Sequence, residues 1–259
     1  MEQNIPVVIL CGGMGTRLRE ETEYKPKPMV EIGGRPMLWH IMKIYAYYGF
    51  RRFILCLGYK GNVIKDYFLN YEAMSNDFTL RLGQDNHLTY QSNHPEQDFE
   101  VTLVDTGLKT MTGGRVKRIE QFIETDTFMV TYGDGLANVD IGALVAFHCH
   151  HGKLATLTAT RPPSRYGILE MTVDGQIERF REKVQTEWIN GGFLVFNRRV
   201  FDYLDPDCIL EREPMERLAD DEQLMAFKHE GFWIGMDTYR EYEMLNQMWD
   251  VDKAEWKIW

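Results

Sequence analysis

The 259-residue chain holds no apolar stretch approaching the roughly 20 residues that a membrane-spanning helix needs, so a membrane is not an expected partner. Cysteine is sparse. Cys11, Cys56, Cys149 and Cys208 lie far apart and form no CxxC pair, which excludes a disulfide scaffold and fits free, mostly buried thiols. Positive charge is also in short supply, with 29 Lys and Arg against 39 Asp and Glu, a net charge of −10. A nucleic-acid backbone is held by clustered Lys and Arg; no such cluster exists, and nucleic acid is not an expected partner either. No basic segment precedes the first apolar run, so no secretory signal is read in Met1 to Pro6 and a cytoplasmic location is expected. Internal repeats and low-complexity runs are absent. What is left is an ordinary globular composition, 44% hydrophobic and 26% charged, at a length suited to one large α/β domain or two small ones.

The β-branched run Val7-Val8-Ile9-Leu10 reads as a first, buried strand. It runs into Cys11-Gly12-Gly13-Met14-Gly15-Thr16-Arg17-Leu18, where three glycines let the backbone turn sharply and bring its N–H groups close to a bound anion. A P-loop would need Gly-Lys followed by Ser or Thr, and a dinucleotide fingerprint would need a small residue in place of Leu18, so neither fits. On glycines alone, a plain strand-to-helix turn stands beside the phosphate-loop reading. Thr16, a hydroxyl donor, and Arg17, a permanent bidentate cation, favour the anion. Because the net charge repels polyanions, a phosphate site here needs local cations or a metal. Arg17, Lys27, Arg115 and Lys183 are candidates for the first, and Asp134 and Asp237 for holding the second.

Lys25-Pro26-Lys27-Pro28 is stiff and extended, because two prolines remove amide donors and restrict their predecessors, and it can aim an ammonium at a phosphate. Pro36 suits the first position of a helix whose Leu38, Ile41, Met42, Tyr45 and Tyr48 form a core stripe up to Gly49. Phe53 to Leu57 reads as a second strand, with Asn62 capping a helix through Leu69; this alternation builds a parallel sheet covered on both faces. A small antiparallel excursion is expected over Phe78 to Leu82 and His87 to Gln91, followed by a strand from Phe99 to Val104. Gly113-Gly114 opens a helix with Val116, Ile119, Phe122 and Ile123 inward; the pair either offers amides to a ligand or merely serves the turn. The strand Thr127 to Thr131 delivers Gly133-Asp134-Gly135 to the carboxyl edge, the edge of the Gly12 loop, with Asp134 open between two glycines.

The helix Ile141 to His151 ends in His148, His150 and His151, read as imidazoles meeting the helix dipole, since consecutive residues splay too widely for a zinc site. Leu154 to Thr160 is a strand, after which the Asp174-Gly175 turn predicts a hairpin of Ile168 to Val173 with Gln176 to Arg181. That hairpin leads to Glu182-Lys183, then to Asn190-Gly191-Gly192 and the strand Phe193 to Phe196. Tyr166, Glu182, Asn190 and Trp233 are the side-chain types that grip sugars. Helices return after Arg199, with a strand at Leu224 to Lys228. Asp237 is either the N-cap of the last helix or a metal ligand, and Trp249, Trp256 and Trp259 in the tail suggest docking on the body or on a neighbouring copy.

Gly12 to Leu18 followed by Lys25-Pro26-Lys27-Pro28-Met29 resembles the signature of the sugar-1-phosphate nucleotidylyltransferases. The likeness continues through Glu31-Ile32-Gly33-Gly34, Val104-Asp105-Thr106-Gly107, Met111 to Arg115, Tyr132 to Gly135, Asn190 to Phe193 and Met236-Asp237-Thr238, nearly the whole chain. It implies an α/β, Rossmann-like three-layer nucleotidyltransferase fold with a mostly parallel sheet and a smaller antiparallel sugar-binding region. It also implies a single domain over 1–259, with 1–160 binding the nucleotide and 161–259 holding the sugar-binding part and C-terminal helices.

Within the family the chain looks like the branch that joins CTP to glucose 1-phosphate with Mg²⁺, giving CDP-glucose and pyrophosphate. The resemblance implies catalytic roles for Arg17, Lys27 and Asp134, and metal binding by Asp134 and Asp237. It assigns the nucleotide to Leu10, Gly12, Gly13, Gly15, Thr16, Arg17, Thr110, Gly114 and Gly133. It assigns the sugar phosphate to Tyr166, Gly167, Glu182, Lys183, Asn190 and Gly191, and implies a homo-oligomer, a hexamer being one form the resemblance allows. The chain departs from the family where Lys183 is followed by Val184 instead of proline, in a stretch to Asn190 that is a couple of residues short. A related hexose or heptose 1-phosphate would satisfy the same residues. A non-catalytic nucleotide-sugar sensor on this fold would not need Asp134, Asp237, Arg17 and Lys27 together, and a dinucleotide oxidoreductase would need a small residue at position 18.

Overall fold

β1 (Val7–Leu10) is buried along its whole length because it runs through the middle of a sheet covered on both sides, which is why all four of its residues are apolar. The computed structural model describes residues 4–15, 18–83, 87–91, 94–162, 167–181 and 187–259. After β1 come α1 (Arg19–Thr22), the short pair β2 (Glu31–Ile32) and β3 (Arg35–Pro36), α2 (Met37–Tyr47), β4 (Arg52–Leu57), α3 (Gly61–Leu69) and α4 (Tyr71–Ser75). The hairpin β5 (Phe78–Arg81) and β6 (His87–Tyr90) precedes β7 (Glu100–Asp105), α5 (Thr112–Arg118), β8 (Thr127–Tyr132), β9 (Gly135–Ala137), α6 (Ile141–His151) and β10 (Ala155–Thr160). A second hairpin, β11 (Ile168–Met171) with β12 (Ile177–Arg181), leads to β13 (Ile189–Asn197), α7 (Glu213–Asp220), β14 (Leu224–His229), β15 (Trp233–Gly235) and α8 (Tyr239–Asp250).

The large sheet has the order β14-β10-β13-β8-β1-β4-β7, parallel throughout except for β13, which runs against both of its neighbours. Side chains alternate across the pleat, so Val7 and Ile9 join one core with Leu38, Ile41 and Tyr45 of α2. Val8 and Leu10 join the other, with Val116, Ile119 and Ile123 around α5. The three layers are as expected, and strands from beyond residue 160 lie in the same sheet as those before it.

Several local expectations are corrected. α2 starts at Met37, with Pro36 as the residue before it, paired in β3. α3 is preceded by Lys60 in a left-handed conformation (φ 49°), so Asn62 lies inside the helix rather than capping it. The Lys25–Pro28 segment is extended at Pro26 and then closes into a single 3₁₀ turn over Lys27–Met29. His148 and His151 at the end of α6 do not serve the dipole as cations, since burial lowers the pKa of both. Burial holds His148 at about 4, with its neighbour His151 adding to the effect, and both rings hydrogen-bond the Thr156 hydroxyl, at 2.8 and 2.7 Å. Cys11 and Cys56 are buried, but Cys149 is exposed.

The tail docks on the body: Trp256 is fully buried against Phe232, and Trp249 packs edge-on to His40 with ring centroids 4.9 Å apart. His40 itself is neutral, its pKa pushed down to about 4 by burial, and it spans Ile32 O at 2.9 Å and the Trp256 indole at 3.3 Å. No helix among the described residues is long and apolar enough to cross a membrane.

Candidate active site

The glycine loop leaves the sheet with its backbone still half engaged. Cys11 N donates to Cys56 O at 3.0 Å and Tyr59 N to Gly12 O at 3.2 Å, which extends the β1–β4 pairing one step past the strand. Beyond that, no acceptor among the described residues takes the amides of Gly12, Gly13, Met14 or Gly15. Gly12, Gly13 and Gly15 line a cavity of about 390 Å³ at the carboxyl ends of β1 and β8, where open α/β sheets bind ligands. Gly15 sits at φ 62°, a left-handed conformation that suits glycine.

Arg115 fixes the loop from below. Its guanidinium, buried and without a carboxylate partner among the described residues, donates to Gly12 O at 3.0 Å, Leu57 O at 2.9 Å, Thr106 Oγ1 at 2.7 Å and Gly107 O at 2.8 Å. One side chain therefore ties the glycine loop to the ends of β4 and β7. Gly12 is glycine for this reason, since a Cβ there would lie 2.1 Å from the guanidinium carbon. Arg115 also lines the cavity floor, but its N–H groups are largely committed to protein oxygens rather than free for a phosphate.

Opposite the loop, Lys27 Nζ lies 2.7 Å from Asp134 Oδ2 and 2.8 Å from Asp237 Oδ1. Burial disfavours the ammonium, but the charges of both aspartates and their hydrogen bonds outweigh it and raise its pKa above the ordinary lysine value. Lys25 points elsewhere, 4.0 Å from Glu21 and 3.7 Å from Glu31. The 3₁₀ turn after Pro26 separates the two lysines. Asp237 is not the cap of α8: Thr238 is, in a capping box with Glu241, which leaves the Asp237 carboxylate for Lys27. Two carboxylates that converge on one ammonium nitrogen from just past β8 and β15 can converge equally on a metal cation, and two carboxylates plus waters and substrate oxygens is a donor set that suits Mg²⁺.

Asp134 and Asp237 also border a second, smaller cavity of about 110 Å³, with Asn190, Gly191 and Trp233 on its walls. Trp233 Nε1 donates to Gly191 O at 2.7 Å, and Gly192 N to Asn190 Oδ1 at 2.9 Å, so this wall is rigid. Tyr132 stands between the cavities and hydrogen-bonds through its hydroxyl to Glu211, which also accepts from Thr112 at 2.7 Å. Burial, then the Glu211 charge, raises the Tyr132 pKa and keeps it a neutral donor.

Of the residues singled out in the sequence, Leu10, Gly12, Gly13, Gly15, Lys27, Thr110, Gly133, Asp134 and Asp237 line the larger cavity, and Asn190 and Gly191 the smaller. Gly114 does not: its N–H donates to Cys208 O at 3.0 Å and a Cβ there would strike Pro206 O, so the Gly113-Gly114 pair serves packing against the 206–210 loop. Gly167 lies against the Phe180 ring, outside both cavities. Thr16, Arg17, Tyr166, Glu182 and Lys183 lie outside the described residues. Sequence reasoning overlooked Glu211, for which an acid in a turn gives no signal, and read Arg115 as a substrate cation, since its five oxygen partners are brought together only by the fold.

A glycine loop that shares a cavity with a Lys–Asp–Asp cluster is an arrangement for phosphates, and residues 6–238 match the family described as Nucleotidyl transferase. The chain belongs to the nucleotidyl transferase family. It is 51% identical over 256 residues, 97% of this chain and 98% of the relative, to the glucose-1-phosphate cytidylyltransferase of Salmonella typhimurium. It is 44% identical over 255 residues, 97% of this chain and 99% of the relative, to a Bacillus subtilis protein named "Probable glucose-1-phosphate cytidylyltransferase". Among solved structures, HddC from Yersinia pseudotuberculosis complexed with GMP-PN shares the fold at TM-score 0.69 and 24% identity, over 95% of this chain and 99% of that one. The chain is a nucleotidyltransferase enzyme, and its seven-stranded sheet is mostly parallel.

Proposed function

We propose that the chain transfers a cytidylyl group from CTP to α-D-glucose 1-phosphate, releasing pyrophosphate and giving CDP-glucose. The observation that carries this reading is the Asp134–Lys27–Asp237 cluster at the seam of the two cavities, in a chain 51% identical to an enzyme with that name. A phosphate oxygen of the sugar phosphate attacks the α-phosphorus, and the bond to the β-phosphate oxygen breaks in line, taking its electron pair out as pyrophosphate. The attacking oxygen is already ionised near neutral pH, so no general base is required. The obstacle is repulsion between two anions, and the residues answer it by alignment and charge.

The amides of Gly12 to Gly15 cradle nucleotide phosphates, while Lys27 and Arg17 hold the α-phosphate and the departing pyrophosphate. Lys27 remains a cation throughout the neutral range, because its pKa is raised. Asp134 and Asp237 would hold Mg²⁺, which when bound supplies neutralisation of the phosphate charges. Asn190, Gly191, Tyr166, Gly167, Glu182 and Lys183 serve the sugar phosphate, and Thr110 and its neighbours the base. The enzyme works as a homo-oligomer in the cytoplasm.

Cytosine presents a donor amine where uracil presents an acceptor, and a dry site matched to one leaves a partner unsatisfied with the other at roughly 1.5 to 3 kcal/mol, so CTP should exceed UTP by about tenfold to a hundredfold in kcat/KM. The test is pyrophosphate release over a matrix of nucleoside triphosphates and sugar 1-phosphates. Equal rates from UTP or dTTP with glucose 1-phosphate would remove the cytidylyl assignment and leave the nucleotidyl transfer standing.

A further inference from the structure

Lys27 stands between an acidic pair and a loop built for anions. Its ammonium lies 2.7 Å from Asp134 Oδ2 and 2.8 Å from Asp237 Oδ1, between the two carboxylates where a metal cation would be held. Its stem stands against the glycine loop, since a Cβ at Gly15 would lie 3.3 Å from Lys27 Cβ, and Lys27 lines the larger cavity together with Gly12 and Gly13. We propose that Lys27 is an internal counter-ion that keeps a divalent cation off the Asp134–Asp237 pair until nucleotide phosphates draw the ammonium away, so that metal and nucleotide bind with positive coupling. Resting on the metal-ligand role given to the two aspartates under the proposed function, this adds an order of events that the aspartates alone would not impose.

Charge and geometry make the two cations rivals. A metal at roughly 2.1 Å from the same two oxygens would lie less than about 5 Å from the ammonium nitrogen. The two carboxylates carry two negative charges and the ammonium cancels one, so a divalent cation beside it would set three positive charges against two. The lysine side chain is only 11% exposed, which leaves little water to screen that repulsion. A nucleoside triphosphate reverses the balance, because it brings more negative charge than both carboxylates together and offers the ammonium a second partner.

The path between the two partners is short, and only the side chain travels it. The Lys27 backbone is fixed in its 3₁₀ turn: Met29 N donates to Pro26 O at 2.8 Å and Val30 N to Lys27 O at 3.1 Å, and Pro28 and Met29 are buried. Pro28 also packs over Gly133, where a Cβ would lie 2.6 Å from Pro28 Cγ, so the turn is seated on the strand end that leads to Asp134. Rotation about the lysine's own bonds is therefore what moves the ammonium from the carboxylates toward the glycine loop. Lys25, whose contacts are Glu21 and Glu31, is not placed to do the same. Linked affinities are reciprocal, so whatever factor CTP adds to metal binding, the metal adds to CTP binding.

The test reads metal binding, not turnover. Mn²⁺, which takes the same oxygen donors as Mg²⁺ and loses its free-ion EPR signal when bound, is titrated against the full-length protein without nucleotide. Lys27→Met, which keeps the stem and drops the charge, should bind Mn²⁺ about tenfold or more tightly than wild type, within the usual range of coupling between sites. Lys27→Gln, which can still hydrogen-bond the carboxylates, should gain as much, whereas Lys27→Arg should bind as weakly as wild type. The gain should vanish in Lys27→Met/Asp134→Asn, and Lys25→Met should stay within about twofold of wild type, the scale of a screened surface charge. Mn²⁺ should also raise the Tm of Lys27→Met more than that of wild type, which shows in the same experiment that the variant is folded. With saturating CTP, and the Mn²⁺ that CTP binds in solution subtracted, wild type and Lys27→Met should converge. Wild type binding Mn²⁺ as tightly as both neutral variants, an equal gain in Lys25→Met, or a gain that survives Asp134→Asn would overturn the proposal while leaving the aspartates as ligands. No Mn²⁺ binding in any variant, with or without CTP, would remove the metal-ligand role itself and the proposal with it.

Discussion

The two ends of the cleft are built differently. The phosphate end rises directly from the buried centre of the sheet: β1 and β8 are neighbours there, and the loops that follow them carry the glycine amides and Asp134. In the proposed function, four of the residues given to the sugar phosphate flank in sequence a hairpin, β11–β12, that among the described residues pairs only with itself and whose β12 residues are all exposed. An isolated two-stranded hairpin is marginally stable, whereas a central strand inherits the rigidity of both cores. Under the proposed function, charge chemistry would rest on the centre of the sheet and part of the sugar contact on segments next to an exposed hairpin. Substitutions at the first end should act on rate, and those at the second chiefly on which acceptor is taken.

The harshest test of that contrast is the pair Asp134→Asn and Asp237→Asn. Each should abolish metal-dependent turnover while thermal unfolding stays close to wild type, because both carboxylates are partly exposed and neither caps a helix. A chelator should reproduce the loss, and restored divalent metal should reverse it in wild type alone. An active Asp237→Asn would retire the metal-ligand role of Asp237.

Next in size is the difference between two lysines two residues apart. Removing Lys27, 11% exposed at its side chain, should cost roughly 2 to 4 kcal/mol of transition-state stabilisation, about thirtyfold to a thousandfold in kcat/KM. Lys25→Ala should change the rate little, since its partners are surface glutamates in weak, screened pairs. Equal effects at the two positions would mean that the Pro26–Pro28 frame does not sort them.

Most of the framework was legible in the sequence because it follows from short-range rules. Alternating apolar strands and helices announce a parallel sheet, and the glycine loop announces where its ligand edge lies. The misreadings have two causes. Arg115 and Gly114 depend on what lies opposite in space, and Gly12 and Cys208 reach them only after folding, whereas Thr238-x-x-Glu241 is a local capping box that was open to reading. Asp237 looked like a cap because a carboxylate before a helix usually is one; here a capping box one residue later takes the role.

The glycines flanking Asp134 sharpen the comparison on a smaller scale. A Cβ at Gly133 would lie 2.6 Å from Pro28 Cγ and 3.0 Å from Leu10 O, while one at Gly135 would meet nothing within 4 Å. Gly133→Ala should therefore lose about 1 to 3 kcal/mol of stability through overpacking at the phosphate end, and Gly135→Ala almost none. Chemical denaturation of the two variants reads the difference directly. Similar losses would mean that the strand ends around Asp134 give way more easily than their burial implies.

The smallest effect separates the scaffold from the site by pH. His40 and His148, fully or nearly buried, are both held at about 4, chiefly by burial, whereas an unfolded histidine titrates near 6.5. Below the unfolded value the unfolded chain binds the protons that the folded one refuses, so stability falls as pH drops from about 6.5 to about 4 and is unaffected by these groups above that window. Each histidine removes about 0.8 kcal/mol by pH 6 and about 3 kcal/mol once pH reaches 4. Lys27 does not titrate in this range, its pKa being raised, so acid should soften the scaffold before it discharges the cation of the site. Thermal unfolding of wild type and His148→Gln between pH 7.5 and 5 checks this, with a shallower slope expected in the variant because one of the two protons no longer matters. Identical slopes would place the acid sensitivity in the carboxylates instead, and a loss of turnover at pH 6 without a fall in Tm would place it in the cleft.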